Sequence, residues 1–195
     1  MRHPILQRPF LALLALLVFC TGAADGATDV EVTLTPTGKG RPQEGTARGV
    51  IAAPPERVAR AVADLAHWHE FMPFLTASDA RPQSDGSVLS EQRLALPFPL
   101  GSHHYRIRFQ SRSESGAAGP VWRAEWSYVP GSGDIAGLRG SWTLEPAPGG
   151  ATLATCRLWT DPGSVSALLM DRATAKSLLW IFDGLRQHVR RSRYD

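Results

Sequence analysis

Two periodicities divide this chain. Through most of residues 30–161, apolar and polar positions alternate; from about residue 165 onward, apolar positions recur every three or four residues. Alternation marks a half-buried strand, and the longer period marks an amphipathic helix. Val30–Leu34 and Thr46–Ala52 read as two paired strands around the turn Thr37–Pro42. Pro54-Pro55-Glu56 opens a helix, because proline is tolerated in a first turn and glutamate suits the positive end of the dipole. Val58, Ala61, Val62 and Leu65 form its apolar face, and Trp68–Phe71 forms a short helical turn before Pro73. Six strands follow, at Thr76–Arg81, Val88–Leu96, Ser102–Ser113, Val121–Val129, Leu138–Glu145 and Thr152–Asp161. Their connections are short and turn-rich, which predicts an antiparallel meander. Pro162-Gly163-Ser164 ends the last strand, with Ser164 as the expected helix cap. A long helix then runs from about Val165 to about Arg191. Leu168, Ala175, Leu178, Phe182, Leu185 and Val189 form its inward stripe, and Asp171, Arg172, Lys176, Arg186 and Arg190 its exposed side.

The strand parity is the most informative feature. His103, Tyr105, Ile107 and Phe109 share one face of their strand, and His104, Arg106, Arg108 and Gln110 share the other. Trp122, Ala124, Trp126 and Tyr128 group in the same way, as do Leu138, Gly140, Trp142 and Leu144. So do Thr152, Ala154, Cys156, Leu158 and Thr160. The sheet therefore has one apolar, aromatic face and one charged, solvated face. A single long amphipathic helix must be covered by that apolar face, which makes an α+β domain. Large and small residues alternate on the inner face, and they either close into a solid core or leave a cavity.

Composition refines this picture. The 195 residues are 43% hydrophobic and 20% charged, with two cysteines, which excludes a disordered chain, a collagen-like repeat and a disulfide scaffold. The formal charge is +3. Part of it lies in the first residues, where Arg2 and Arg8 precede the apolar run Phe10–Cys20 and the small residues Thr21–Ala24. That order is a secretory signal peptide over residues 1–24, cleaved near Ala24. Eleven apolar residues reach about 17 Å, short of a hydrocarbon core about 30 Å thick. Phe19 is too bulky for a lipoprotein site before Cys20. Cleavage leaves residues 25–195 as one domain with net charge about +1 and Cys156 as its single cysteine. Such a domain is expected to be exported, to the periplasm, and to hold together by packing without a disulfide.

The segment Val50-Ile-Ala-Ala-Pro-Pro-Glu-Arg-Val58, followed by Asp64-Leu-Ala-His-Trp-His-Glu-Phe-Met-Pro73, resembles the opening of START-like proteins of the SRPBCC superfamily. That superfamily includes polyketide cyclases/dehydrases, lipid-transport proteins and coenzyme-Q-binding proteins. Gly133-Asp134-Ile135, Leu138–Pro146, Gly149-Gly150 and the long last helix resemble its second half, so the likeness covers roughly residues 44–191. It implies a helix-grip fold, with a curved antiparallel sheet wrapped around the C-terminal helix and an elongated hydrophobic pocket between them. The expected lining is Trp68, Phe71, Met72 and Phe74 at the entrance, and His103, Tyr105, Phe109, Trp122, Trp126, Trp142 and Cys156 from the sheet. Leu178, Phe182 and Leu185 are expected from the helix. For each aromatic, plain core packing is the competing reading.

Candidate chemistry is sparse. His67 and His69 lie on different sides of a helical turn, and His103 and His104 on opposite faces of a strand, so neither pair is expected to bind a metal. No cofactor motif is present: the glycine pairs sit in turns and do not open a helix in a βαβ unit. Cys156 reads as a small buried hydrophobe. His103 points inward, where the first reading is a core-edge histidine hydrogen-bonded to backbone and the competing one a group that orients a ligand carbonyl or serves as a general acid/base. The basic tail His188–Tyr194 suits either the negative end of the helix dipole or a transient contact with an anionic membrane surface. Nucleic acid is a poor partner for an exported chain of near-zero charge. The expected function is non-catalytic: a carrier or sensor enclosing a lipid, quinone or polyketide-like molecule. The alternatives are a cyclase/dehydratase using His103 and a protein-contact module with a filled core. The pattern does not specify ligand identity or oligomeric state.

Overall fold

The computed structural model describes residues 30–96, 101–161, 163 and 166–194. Residues 1–24, expected as a signal peptide, and Ser164, the expected helix cap, lie outside the described residues. Eight antiparallel strands form one sheet: β1 Glu31–Thr35, β2 Glu44–Ile51, β3 Leu75–Pro82, β4 Val88–Ala95, β5 Ser102–Gly116, β6 Gly119–Tyr128, β7 Gly137–Ala147 and β8 Ala151–Asp161. Their order is β1-β2-β8-β7-β6-β5-β4-β3, so β3 to β8 form the expected meander and the first hairpin adds beside β8. Helix α1, Pro55–Ala63, and a short 3-10 helix, Leu65–Glu70, carry the chain from β2 to the far edge at β3. The long helix α2 spans Ala167–His188. This is the helix-grip arrangement, an open curved sheet around a C-terminal helix. No helix among the described residues is long and apolar enough to cross a membrane.

Burial follows the parity. Tyr105, Ile107 and Phe109 are buried in β5, while Arg106 and Arg108 are exposed. Trp159 departs from it, because it is buried on the face expected to be solvated. Its indole Nε1 donates to the Pro42 carbonyl at 3.0 Å, and the Arg139 guanidinium lies 4.4 Å from its ring centre. The β1–β2 turn and a cation–π contact thus cover an aromatic residue outside the core.

Helix α2 also differs from its expected facing. Leu168 is 65% exposed, because it lies in the first turn, ahead of the contact that Asp171 makes with Gln43. Ala175 is half-buried. Asp171, expected outside, is buried and accepts hydrogen bonds from the Gln43 backbone N–H at 2.7 Å and from its Nε2 at 2.8 Å. Arg186, also expected outside, is half-buried and donates through Nε and Nη2 to the Val50 carbonyl. The buried stripe runs through Thr174, Leu178, Ile181, Phe182, Leu185, His188 and Val189. Two polar side chains therefore fix α2 to both ends of β2. Between them the helix sits close to the strand, since a Cβ at Gly45 would meet Leu178 and Thr174.

Candidate functional site

The interior has two zones. Under the C-terminal half of α2 the core is packed. Trp142 lies on Phe182 at 5.3 Å between ring centres, and Trp68 meets Phe109 and Trp126 edge-on. Toward the N-terminal half of α2, sheet and helix separate around a cavity of about 150 Å³. Its floor is Gln92 and Leu94 of β4, His103 and Tyr105 of β5, Trp126 of β6, Leu138 of β7, and Leu158 and Thr160 of β8. Met170, Ala173, Thr174, Ser177 and Ile181 of α2 close the opposite side, and Trp68, Met72, Pro73, Phe74 and Leu75 form one end. Ala173 is exposed, so the cavity reaches the surface beside the helix.

Gly140 helps to shape this space. It pairs with Trp126 across β6 and β7, and a Cβ at 140 would run into the indole. The indole therefore lies over β7, where a side chain would otherwise stand. Phe74 has a φ of 64°, an unusual conformation for a side-chain-bearing residue. Its ring meets Trp180 at 5.6 Å, linking the segment after the 3-10 helix to α2 at the cavity rim. Strain of this kind clusters at functional sites.

Of the residues expected at the site, Trp68, Met72, Phe74, His103, Tyr105 and Trp126 come together around this cavity. Phe109, Trp142, Cys156, Leu178, Phe182 and Leu185 sit in the packed zone instead. Phe71 turns away and packs on His188 at 4.9 Å. Trp122 lines a separate depression under α1, with Phe109 and Leu144. Parity assigned these side chains to the correct face. It carried no information on which end of that face stays open. Gln92, Thr174 and Ser177 were missed because polar residues seldom mark an apolar pocket.

The polar groups differ in their surroundings. His103 Nδ1 lies 3.4 Å from Asp134 Oδ1. Burial pushes the Asp134 carboxyl up, but backbone N–H donation, from His104 first, and the nearby histidines outweigh it and hold the group below its ordinary value. Burial pushes the Tyr105 hydroxyl far up, so it stays protonated and able to donate. Burial does the same to the Cys156 thiol, which lacks the basic neighbours of a reactive cysteine. Ser90 Oγ meets Ser78 Oγ at 3.1 Å, and Ser78 donates to the Leu65 carbonyl. Two residues along the same strand, Gln92 is equally buried, yet its Nε2 has no hydrogen-bond partner among the described residues. No group of three or more His, Cys, Asp and Glu side chains among the described residues is arranged to hold a metal.

Comparison with protein families matches residues 42–190 to the family described as polyketide cyclase / dehydrase and lipid transport. No curated protein matches the chain. Among solved structures, it is similar to a STAR-related lipid transfer protein from Xanthomonas axonopodis, with 18% identity and a TM-score of 0.71. That match covers 85% of this chain and 100% of the other. The human StarD13 lipid transfer and protein localization domain matches at 15% identity and TM-score 0.69, over 83% of this chain and 84% of that one. The ZhuI aromatase/cyclase from Streptomyces sp. R1128 matches at 11% identity and TM-score 0.57, over 77% and 96%. At these identities the likeness is one of fold.

Proposed function

This chain belongs to the polyketide cyclase / dehydrase and lipid transport family, and on that premise we propose that it binds a hydrophobic small molecule, as a carrier or sensor without catalysis. The cavity between β4–β8 and the N-terminal half of α2 carries this reading. Its lining is mostly apolar, with a few polar groups, as ligand pockets generally are. A volume near 150 Å³ holds a molecule the size of benzene. Pockets for larger ligands run to roughly 300–1,000 Å³. The bound molecule is therefore a single substituted ring or chain segment, or a larger one admitted when the Met72–Leu75 segment moves away from α2. The family and the lipid-transfer fold support lipids and polyketide-like molecules as the class; a quinone is a further candidate on the apolar lining alone.

We place the protein outside the cytoplasm, on the strength of the N-terminal sequence pattern alone. N-terminal sequencing of the protein from a periplasmic fraction is expected to begin near Asp25. Recovery of the intact first segment from the cytosol would overturn export.

Native mass spectrometry of the purified protein, followed by solvent extraction, tests binding. A retained or captured apolar molecule is expected. No uptake across a broad panel of lipids, quinones and aromatic ketones would overturn the proposal. A second reading, a cyclase/dehydratase, is favoured by one observation: His103 lines the cavity with Asp134 beside its Nδ1, as an orienting carboxylate would be. Under that reading His103→Ala abolishes turnover and leaves binding largely intact. Under the carrier reading no turnover exists to lose.

A further inference from the structure

The cavity floor sets two polar side chains side by side on neighbouring strands. Gln92 and Tyr105 stand directly opposite each other on β4 and β5, so their side chains share the inner face. Each is 4% exposed, and both line the cavity. Gln92 Nε2 is buried with no hydrogen-bond partner among the described residues, and Tyr105, its cross-strand neighbour, carries its hydroxyl on the same cavity-facing side. Trp142 Nε1 is another buried donor without a partner, but Trp142 is sealed against Phe182 and touches no cavity space. Gln92 and Tyr105 differ because a ligand can reach them. Buried polar groups are almost always hydrogen-bonded, and each exception calls for an explanation such as an absent partner. Among the described residues of the lining there is no Arg, Lys, Asp or Glu, and its one histidine, His103, already faces the Asp134 carboxylate, so a carboxylate ligand would meet no unengaged counter-ion there.

We propose that Gln92 and Tyr105 form a recognition pair for an uncharged carbonyl oxygen, so that the site takes a neutral ketone, quinone or ester and discriminates against both the bare hydrocarbon and the carboxylate. This deepens the binding reading above and rests on it. Gln92 Nε2 and the Tyr105 hydroxyl both donate to the carbonyl oxygen of the ligand, while its apolar body lies among Trp68, Trp126, Leu138 and Ile181. A site built to hydrogen-bond a polar group rejects the analogue that lacks it, because the protein donors then stay unpaired.

Three probes of one skeleton test the pair: acetophenone, ethylbenzene and benzoate. Binding to the purified protein is measured by proton–nitrogen correlation NMR, which also follows the Gln92 side-chain amide. Acetophenone is expected to bind about tenfold or more tightly than ethylbenzene, the difference one hydrogen bond makes, and to shift the Gln92 amide resonance. Benzoate is expected not to bind. In Gln92→Met, which keeps the length and loses the amide, the preference for acetophenone over ethylbenzene is expected to shrink several-fold. Tyr105→Phe supplies an independent variant should the first misfold. Equal binding of acetophenone and ethylbenzene, or a preference retained in both variants, would overturn the proposal. Should none of the three bind, the proposal also falls. A lipophilic molecule then found by native mass spectrometry would leave the binding reading standing, and its absence would remove that reading too.

Discussion

Gly140 shows how one missing side chain shapes the interior. Trp126 covers it, so the indole occupies the place of a side chain on β7 and the same residue lines the cavity. Gly140→Ala forces the ring to move or the strands to part, and overpacking of this kind costs about 1–3 kcal/mol. A denaturant titration is expected to show that loss, with a changed tryptophan fluorescence maximum as the indole shifts. An unchanged midpoint and spectrum would mean that Trp126 yields without cost. Cys156 illustrates the opposite case, a residue whose environment silences it. Fully buried and held protonated, it is expected to resist a thiol reagent in the native protein lacking residues 1–24, and to react only on unfolding. Stoichiometric labelling of the folded protein would contradict its placement.

Among the elements, α2 is the one that is tied down most. Asp171 holds one end to Gln43, and Arg186 holds the other to Val50. Beyond the helix, the short turn Ser192–Tyr194 folds back. The Tyr194 hydroxyl lies 2.7 Å from His188 Nε2 and 2.9 Å from Asp64 Oδ2, and Glu70 takes ion pairs from Arg191 and Arg193. The basic tail thus has partners on the 3-10 helix, although Arg190 remains exposed and available to an anionic surface. Burial holds the His188 imidazole below its ordinary value of 6.5, with Arg193 adding to the effect and Asp64 opposing it; His67 and His69 also face the ring. The unfolded chain therefore takes up that proton first. The contribution of His188 to stability is fully present above pH 6.5 and is lost as the pH falls below it. The melting temperature is expected to drop on acidification through this range, and more steeply in the wild type than in His188→Gln. Parallel curves would show that other groups set the acid limit. Tyr194→Phe removes the bridge between His188 of α2 and Asp64, the residue that follows α1, and is expected to cost about 1–2 kcal/mol in the same measurement.

At the scale of the molecule, the sheet is packed hard against α2 at one end and parts from it at the other. Filling the gap tests whether it is used. Ala173 lies on the exposed rim, so Ala173→Phe places a ring in the cavity from a position that can accept bulk. Uptake of apolar probes is expected to fall about tenfold or more, with the melting temperature within a few degrees of the wild type. Unchanged uptake would place the ligand elsewhere. Much of this architecture was legible in the sequence. All eight strands, α1 and α2 follow from periodicity, and the inward face from parity. Trp159 was not legible, because its cover comes from Pro42 and Arg139, far away in the chain. Nor were Asp171 and Arg186, since a charged residue on a helix reads as solvated until a distant strand supplies its partner.

The sequence by itself determined the secondary structure and the side of the sheet that turns inward. Alternation and helical period are local properties, set by residues within a few positions of one another. Tertiary structure alone decided where the interior is solid and where it is open. That depends on which large side chain meets which gap between neighbouring elements: Trp126 over Gly140, Trp142 against Phe182, Leu178 beside Gly45. The same kind of pairing across β4 and β5 set Gln92 opposite Tyr105, and made two unremarkable residues neighbours on the floor of a mostly apolar site.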